Sequence, residues 1–100
     1  MLEIRKANAC ANWIDSLRDV QGRARILVRI LVRIERLAAG NPGDSKPVGA
    51  GVAELRIDYG PGYRVHFTKK GREVVILLAG GDKATQASDI KNALRLARNL

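Results

Sequence analysis

Arg56, Arg64, His66 and Lys83 are the side chains of this 100-residue chain whose types and spacing suit chemistry on phosphate. Arginine's planar fork donates to two phosphoryl oxygens at once, lysine brings a compact positive charge, and imidazole exchanges protons near neutral pH. Three of the four lie in one stretch, RIDYGPGYRVHF (residues 56–67), which also holds both tyrosines, the one phenylalanine and the one histidine. Alternation of period two puts Tyr63, Val65 and Phe67 on one side of a strand as core material, and Arg64 and His66 on the other. Arg56 and Glu54 project the same way from the preceding strand. Covering two arginines and an imidazole with an apolar layer is costly, because buried cations require partners. The face is therefore expected to be open and wet. A hollow lined by Arg56, Arg64 and His66, with Lys69 and Lys70 at one rim and Lys83 after Gly80-Gly81, would stabilise charge growing on phosphoryl oxygens. The same residues also fit a solvated basic face with local Glu54 and Asp58 pairs.

Other chemistry finds little support. A single histidine and a single cysteine cannot build a histidine- or cysteine-rich metal site. No Gly-x-Gly-x-x-Gly follows a strand, no nucleotide P-loop is present, and no serine lies in a strained turn that could join His66 in a triad. Neither a metal nor a small-molecule cofactor is expected. Cys10 shares the helical spacing of Trp13, Ile14 and Leu17 and reads as a small buried hydrophobe rather than a catalytic thiol.

Net charge is +8, with nine basic and five acidic residues in each half, so the excess is spread over the domain rather than carried by a tail. Such a surface favours nucleic acid or an acidic protein partner. A polybasic membrane binder would show lysines clustered beside an amphipathic anchor, and none is seen. The apolar runs fall far short of the roughly 20 residues of a membrane span, and residues 1–6 lack a signal-peptide apolar region. A cytoplasmic protein of one domain, residues 1–100, is expected.

The elements that must position these residues follow from periodicity. Leu2 to Lys6 alternates as a short strand, and Asn8 caps a helix running to about Asp19. A second helix spans about Gln21 to Ala39 and closes at Gly40-Asn41-Pro42. Inside it Ile26-Leu27-Val28-Arg29 is copied at once as Ile30-Leu31-Val32-Arg33; four residues lengthen a helix by about 6 Å and rotate later side chains by about 40° around its axis. Arg25, Arg29, Arg33 and Arg36 then share one narrow face, opposite an aliphatic arc. Val28 and Val32 fit neither set and read either as a partner surface or as the edge of a broad buried arc. Asn41 to Gly51 reads as a loop. Val52–Tyr59, Tyr63–Thr68 and Val74–Leu78 read as a three-strand meander, turned at Gly60-Pro61-Gly62 and Lys69–Arg72 and ended at Gly80-Gly81. The third strand is apolar at every position, as in a central strand covered on both faces. Thr85 or Ser88 caps a last helix carrying Ile90, Ala93, Leu94 and Ala97. The order β-α-α-β-β-β-α is an α+β fold: two N-terminal helices packed on a small, mostly antiparallel sheet, plus a C-terminal helix.

Glu54–Phe67 (ELRIDYGPGYRVHF), Leu77–Gln86 (LLAGGDKATQ), Asp89-Ile90, Asn41–Asp44 and Lys46–Gly49 together resemble the RelE/ParE superfamily of bacterial toxins, in particular the HigB-like addiction module killer proteins. The resemblance covers nearly the whole chain and implies a RelE-like fold and the toxin of a type II toxin-antitoxin module. That toxin would be held inactive by a cognate antitoxin and would act as a ribosome-dependent mRNA interferase. Cleavage in such proteins proceeds by attack of a ribose 2′-hydroxyl on the adjacent phosphate. It needs a proton acceptor, cations around five-coordinate phosphorus and a donor for the leaving oxygen. Arg64, in the Gly-Tyr-Arg motif, falls at the family's transition-state arginine, Lys83 at a second basic position, and Arg56 is a further cation. His66, where close relatives carry an aromatic, is expected to transfer a proton. Lys46, Tyr59, Lys69 and Lys70 are the expected RNA contacts; Val28, Val32, Arg29 and Arg33 form the expected antitoxin surface. Two departures stand out: the C-terminal tyrosine of some RelE members is replaced near its position by Ser88, and the Ile-Leu-Val-Arg unit is doubled. The alternatives are a ParE-like inhibitor of DNA gyrase and a non-toxic or engineered variant carrying the four-residue duplication.

Overall fold

The computed structural model describes residues 1–18 and 24–100. Its elements are β1 (Glu3–Lys6), α1 (Asn8–Arg18), α2 (Ala24–Ala38), β2 (Ser45–Gly49), β3 (Val52–Ile57), β4 (Tyr63–Lys70), β5 (Val74–Gly81), a short 3-10 turn (Lys83–Thr85) and α3 (Gln86–Arg98). The expected ends of the first two helices at Asp19 and Gln21 lie outside the described residues. All five strands form one sheet in the order β1-β5-β4-β3-β2, with β1 parallel to β5 and every other pair antiparallel.

The expected meander is present, and β5 is an interior strand, between β1 and β4, covered on both faces as its unbroken apolar sequence requires. One face of the sheet packs on α1 and α2: Leu55, Val65, Phe67, Val75 and Leu77 meet Cys10, Ile14 and Leu17 of α1 and Ile30, Ile34 and Leu37 of α2. The other face carries Val52, Ile76, Leu78 and Ala79 against Ala93 of α3. Each large aliphatic chain so buried contributes on the order of 1.5–3 kcal/mol.

Both copies of the doubled segment lie within α2, which is continuous from Ala24 to Ala38. The helix ends as expected: Gly40 has φ +88°, its N–H bonds the Leu37 carbonyl at 3.0 Å, and the Asn41 N–H bonds the Arg36 carbonyl at 2.8 Å. This double reach-back is open to glycine because it alone adopts that backbone without a Cβ clash. At α1 the Ala11 N–H bonds the carbonyl of Ala7 at 3.0 Å, so Asn8 lies inside the first turn instead of capping it.

Three local expectations are corrected. Residues 45–49, expected as loop, form β2, an edge strand on β3; Pro47 is tolerated there because an edge residue need not donate to a ladder, and the positive φ of Gly49, Ala50 and Gly51 closes the hairpin. The strand β5 does not stop before Gly80-Gly81 but runs through them. A Cβ on Gly80 would lie 2.1 Å from the Trp13 ring on one face, and one on Gly81 would lie 2.0 Å from Asp89 Oδ2 on the other. These glycines let α1 and α3 approach the sheet from opposite sides. Finally, Asp82 caps the turn leading into α3, its Oδ1 accepting the N–H groups of Ala84 (2.9 Å) and Thr85 (3.2 Å), while Thr85 Oγ1 donates to Asp89 Oδ2 at 2.6 Å.

Candidate active site

Strand register places Arg56 directly opposite Arg64, and Glu54 directly opposite His66. Two arginines facing each other across a strand pair repel. Glu54 relieves this: its Oε1 accepts from Arg56 Nε at 3.3 Å and from Arg64 Nε at 3.0 Å. Its Oε2 accepts from His66 Nε2 at 3.1 Å, and the Gln86 amide, at the start of α3, donates to both oxygens at 3.1 and 3.0 Å. Glu54 and His66 are both 0% exposed. Burial pushes the Glu54 carboxyl up, but the donors from Gln86, His66, Arg56 and Arg64 outweigh it, and the group sits below its ordinary 4.5.

The expected open, wet face is therefore not observed. Alternation assigned the correct residues to it, but α3 lies over β5, β4 and β3 on that side. His66 is sealed beneath, with Nε2–H turned to Glu54 and Nδ1 without a hydrogen-bond partner among the described residues. The solvent-facing position expected for a proton-transferring His66 is not observed: the ring is buried and its Nε2 is engaged by Glu54. The signal was present in the sequence. A strand as apolar as β5 demands a cover on both faces, and that cover must extend over its neighbour.

The arginines remain partly accessible. Arg56 and Arg64 side chains are 36% and 14% exposed. Glu54 occupies the Nε edge of each guanidinium, and Arg64 Nη1 donates to the Gly62 carbonyl at 3.1 Å. Arg64 Nη2 and both terminal nitrogens of Arg56 make no hydrogen bond among the described residues. The two arginine residues line a hollow of about 170 Å³ together with Asp44, Ile57, Asp58, Gly62 and Tyr63. Lys83 does not wall the hollow but its backbone end lies next to it: a Cβ built on Gly62 would lie 3.4 Å from Arg64 Nη1 and 3.8 Å from Lys83 Cβ, and Lys83 itself is exposed.

Other expected site residues fall elsewhere. Lys46 is exposed on the edge strand, in the same cross-strand row as Glu54 and His66. Lys69 and Lys70 are exposed but stand at the far end of β4, up to six residues from Arg64, or about 20 Å at strand rise. They do not form a rim of this hollow. The Tyr59 ring lies under the Arg29 guanidinium, 4.4 Å from its centroid. Val28 and Val32 are exposed, which removes the buried-arc reading. Arg33 is not a free surface cation: its guanidinium donates to the carbonyls of Arg56, Pro42 (2.9 Å) and Asp44 (3.1 Å), fastening α2 to the segment ahead of β2. Glu54 and Gln86, which bind the two arginines and His66 into one cluster, are not among the expected site residues. Glu54 is visible in the sequence as an acid on the polar side of the meander, shared with Asp58, whereas nothing in the periodicity brings Gln86 to it.

Residues 12–100 match the family described as "Phage derived protein Gp49-like (DUF891)". A protein of Haemophilus influenzae described as "Uncharacterized protein" is 43% identical over 99 residues, 99% of this chain and 96% of that protein. No solved structure matches.

Proposed function

The chain belongs to the Gp49-like family of phage-derived proteins, a RelE-like toxin family of addiction modules, and on that premise we propose that it is a toxin that cuts messenger RNA on the ribosome. The finer placement, a RelE-like topology of the HigB-like killer-protein branch, is part of this reading and rests on the Glu54–Phe67 and Leu77–Gln86 segments. The observation that carries the reading is the Arg56–Arg64 pair, fastened at Nε by one buried carboxylate and lining the same hollow.

The 2′ oxygen attacks the adjacent phosphorus as its proton passes to solvent water, and the P–O5′ bond breaks to leave a 2′,3′-cyclic phosphate and a 5′-hydroxyl; in between, negative charge grows on the non-bridging oxygens. Arg64 Nη2 and the Arg56 fork donate to those oxygens, and donors already aimed need no reorganisation as the charge develops. The Lys83 ammonium faces the leaving 5′ oxygen. Glu54, with His66 and Gln86, fixes the aim of both guanidinium groups. A cognate antitoxin is the expected partner, and the ribosome places the protein in the cytoplasm. Among the described residues no helix is long and apolar enough to cross a membrane.

Arg64→Ala tests this. The variant should fold, lose growth arrest on induction, and lose cleavage by about 10²–10³-fold, the usual effect of one transition-state donor. A folded variant that still cuts mRNA at the original rate, by primer extension, would refute the role of Arg64. One observation favours the gyrase alternative: the hollow has no accessible imidazole. DNA breaks that depend on gyrase, with messenger left intact, would establish that reading instead.

A further inference from the structure

We propose that Asp44 takes the proton of the attacking 2′-hydroxyl and hands it to solvent, as one end of a catalytic row whose other end is Lys83. This rests on the nuclease reading and adds what that reading leaves to water, a proton acceptor held by the protein.

Strand register builds the row. Lys46 stands opposite Glu54 and Ser45 opposite Leu55, so the next pair along the ladder is Asp44 and Arg56, and the Arg56 N–H bonds the Asp44 carbonyl at 2.9 Å. Residues paired in this way share a face of the sheet. Arg56 in turn stands opposite Arg64, and Arg64 opposite Gly81, two residues before Lys83. Across the sheet the order is carboxylate, guanidinium, guanidinium, ammonium, on strands about 4.8 Å apart. An in-line displacement at phosphorus makes its demands in the same order. It needs a base at the attacking oxygen, cations at the non-bridging oxygens, and a cation or proton donor at the leaving oxygen on the opposite side.

The other acceptors near the arginines are engaged or lie off this line. Glu54 and His66 are buried and bonded to each other, and Asp82 Oδ1 holds the turn ahead of α3. Asp58 lines the hollow too, but it follows the end of β3 and also walls the groove beside α2. Asp44 is exposed, lines the hollow, and makes no side-chain hydrogen bond or ion pair among the described residues. Its backbone, by contrast, is fixed. The carbonyl accepts from Arg33 Nη2 at 3.1 Å as well as from the Arg56 N–H, and the same guanidinium holds the Pro42 carbonyl at 2.9 Å. A carboxylate in this place repels a phosphate chain, so substrate binding does not call for it. In the step itself, the 2′ oxygen bonds phosphorus as its proton moves to an Asp44 oxygen and on to water. The P–O5′ bond breaks with its electron pair on O5′, and a proton from water completes the 5′-hydroxyl.

The test is single-turnover cleavage on programmed ribosomes by the full chain and its Asp44→Asn, Asp58→Asn and Lys83→Ala variants. The message carries either the ordinary oxygen or a sulfur at the 5′ position of the bond that the unaltered protein cuts. Asp44→Asn should slow cleavage by 10²-fold or more, the usual worth of a general base. Its half-saturating concentration should stay level or fall, because a repelling charge has gone. Asp58→Asn should lose at least tenfold less. Sulfur leaves readily without a proton donor, so it should bring Lys83→Ala to within tenfold of the unaltered protein while Asp44→Asn stays at least tenfold below it. The Asp44 side chain is exposed, so the variant should keep the native circular dichroism spectrum. Asp44→Glu, which retains a carboxylate, should cut faster than Asp44→Asn and serves as the second measure should the amide disturb the fold. Cleavage by Asp44→Asn within threefold of the unaltered protein, a greater loss in Asp58→Asn, or full recovery of Asp44→Asn on the sulfur message overturns the assignment while the nuclease reading stands. If the unaltered protein leaves every message whole, that reading and the role of Asp44 fall together.

Discussion

Glu54 and His66 face each other across β3 and β4, joined at 3.1 Å, and neither side chain reaches solvent. Because the folded protein holds the Glu54 carboxyl below its ordinary 4.5, the unfolded chain binds its proton more readily. The stability this group contributes is therefore fully present above about pH 4.5 and is lost as pH falls through the lower folded value. Urea midpoints measured from pH 7 down to pH 3 should fall steeply below 4.5. In Glu54→Gln that part of the slope should be missing; an unchanged slope would mean that the carboxylate is not held as described.

Glu54→Gln should also lower stability at pH 7, by about 3 kcal/mol or more, the usual result of removing one partner from a buried ion pair. The amide keeps the shape but leaves Arg56 and Arg64 opposed without a counter-charge. Cleavage should drop with it, through kcat rather than KM, since the arginines lose their aim before they lose their charge. Denaturant unfolding and single-turnover kinetics on the same preparation separate the two effects.

Gly80→Ala should cost about 1–3 kcal/mol, the range for forcing extra atoms into a packed interior. Its Cβ would lie 2.1–2.6 Å from the Trp13 ring, so the indole must move and its fluorescence should change in the folded state. In a Trp13→Ala background the penalty should shrink by most of its value. A penalty of the same size in both backgrounds would place the strain elsewhere.

The alternation of β3 and β4, the apolar run of β5 and the glycine stop of α2 made most of the fold legible, because each is a local periodicity or a local backbone requirement. The edge strand β2 was not. Ser45–Gly49 contains an exposed proline and an exposed lysine, and its strand character comes from the backbone of the neighbouring strand, which composition does not encode. In the site, the residue types on each face were legible, but their exposure was not: that depends on where α3 lies. Gly80 and Gly81 show the same limit, since a close approach from either side looks in sequence like a strand end.

Cys10 should be inert in the native protein. It is fully buried, and burial pushes its thiol up to about 11 in spite of the opposing charge of Lys6. At pH 8 the thiolate is then roughly one part in a thousand, so alkylation by iodoacetamide should run about a hundredfold or more slower than in urea, where an ordinary thiol near 8.5 is restored. Rapid labelling of the folded chain would contradict the packing of α1 against the sheet.

Arg33 ties three carbonyls with one side chain, and only a planar fork can do so. Lysine in its place keeps the charge but offers a single ammonium on a flexible stem, unable to reach Arg56, Pro42 and Asp44 together. Arg33→Lys should cost about 1–3 kcal/mol through carbonyls left unsatisfied. The loss should also be local. The Asp44 carbonyl accepts the Arg56 N–H at 2.9 Å, and Gly43 packs so closely that an added Cβ would stand 3.2 Å from Arg33 Nη2. Hydrogen exchange of the Arg56 amide and of β2 should therefore accelerate well before that of β4 and β5, which are paired on both sides. If β2 amides exchange no faster in Arg33→Lys, the segment is held by strand pairing alone, and the guanidinium is incidental to keeping the Arg56 backbone in place beside the hollow.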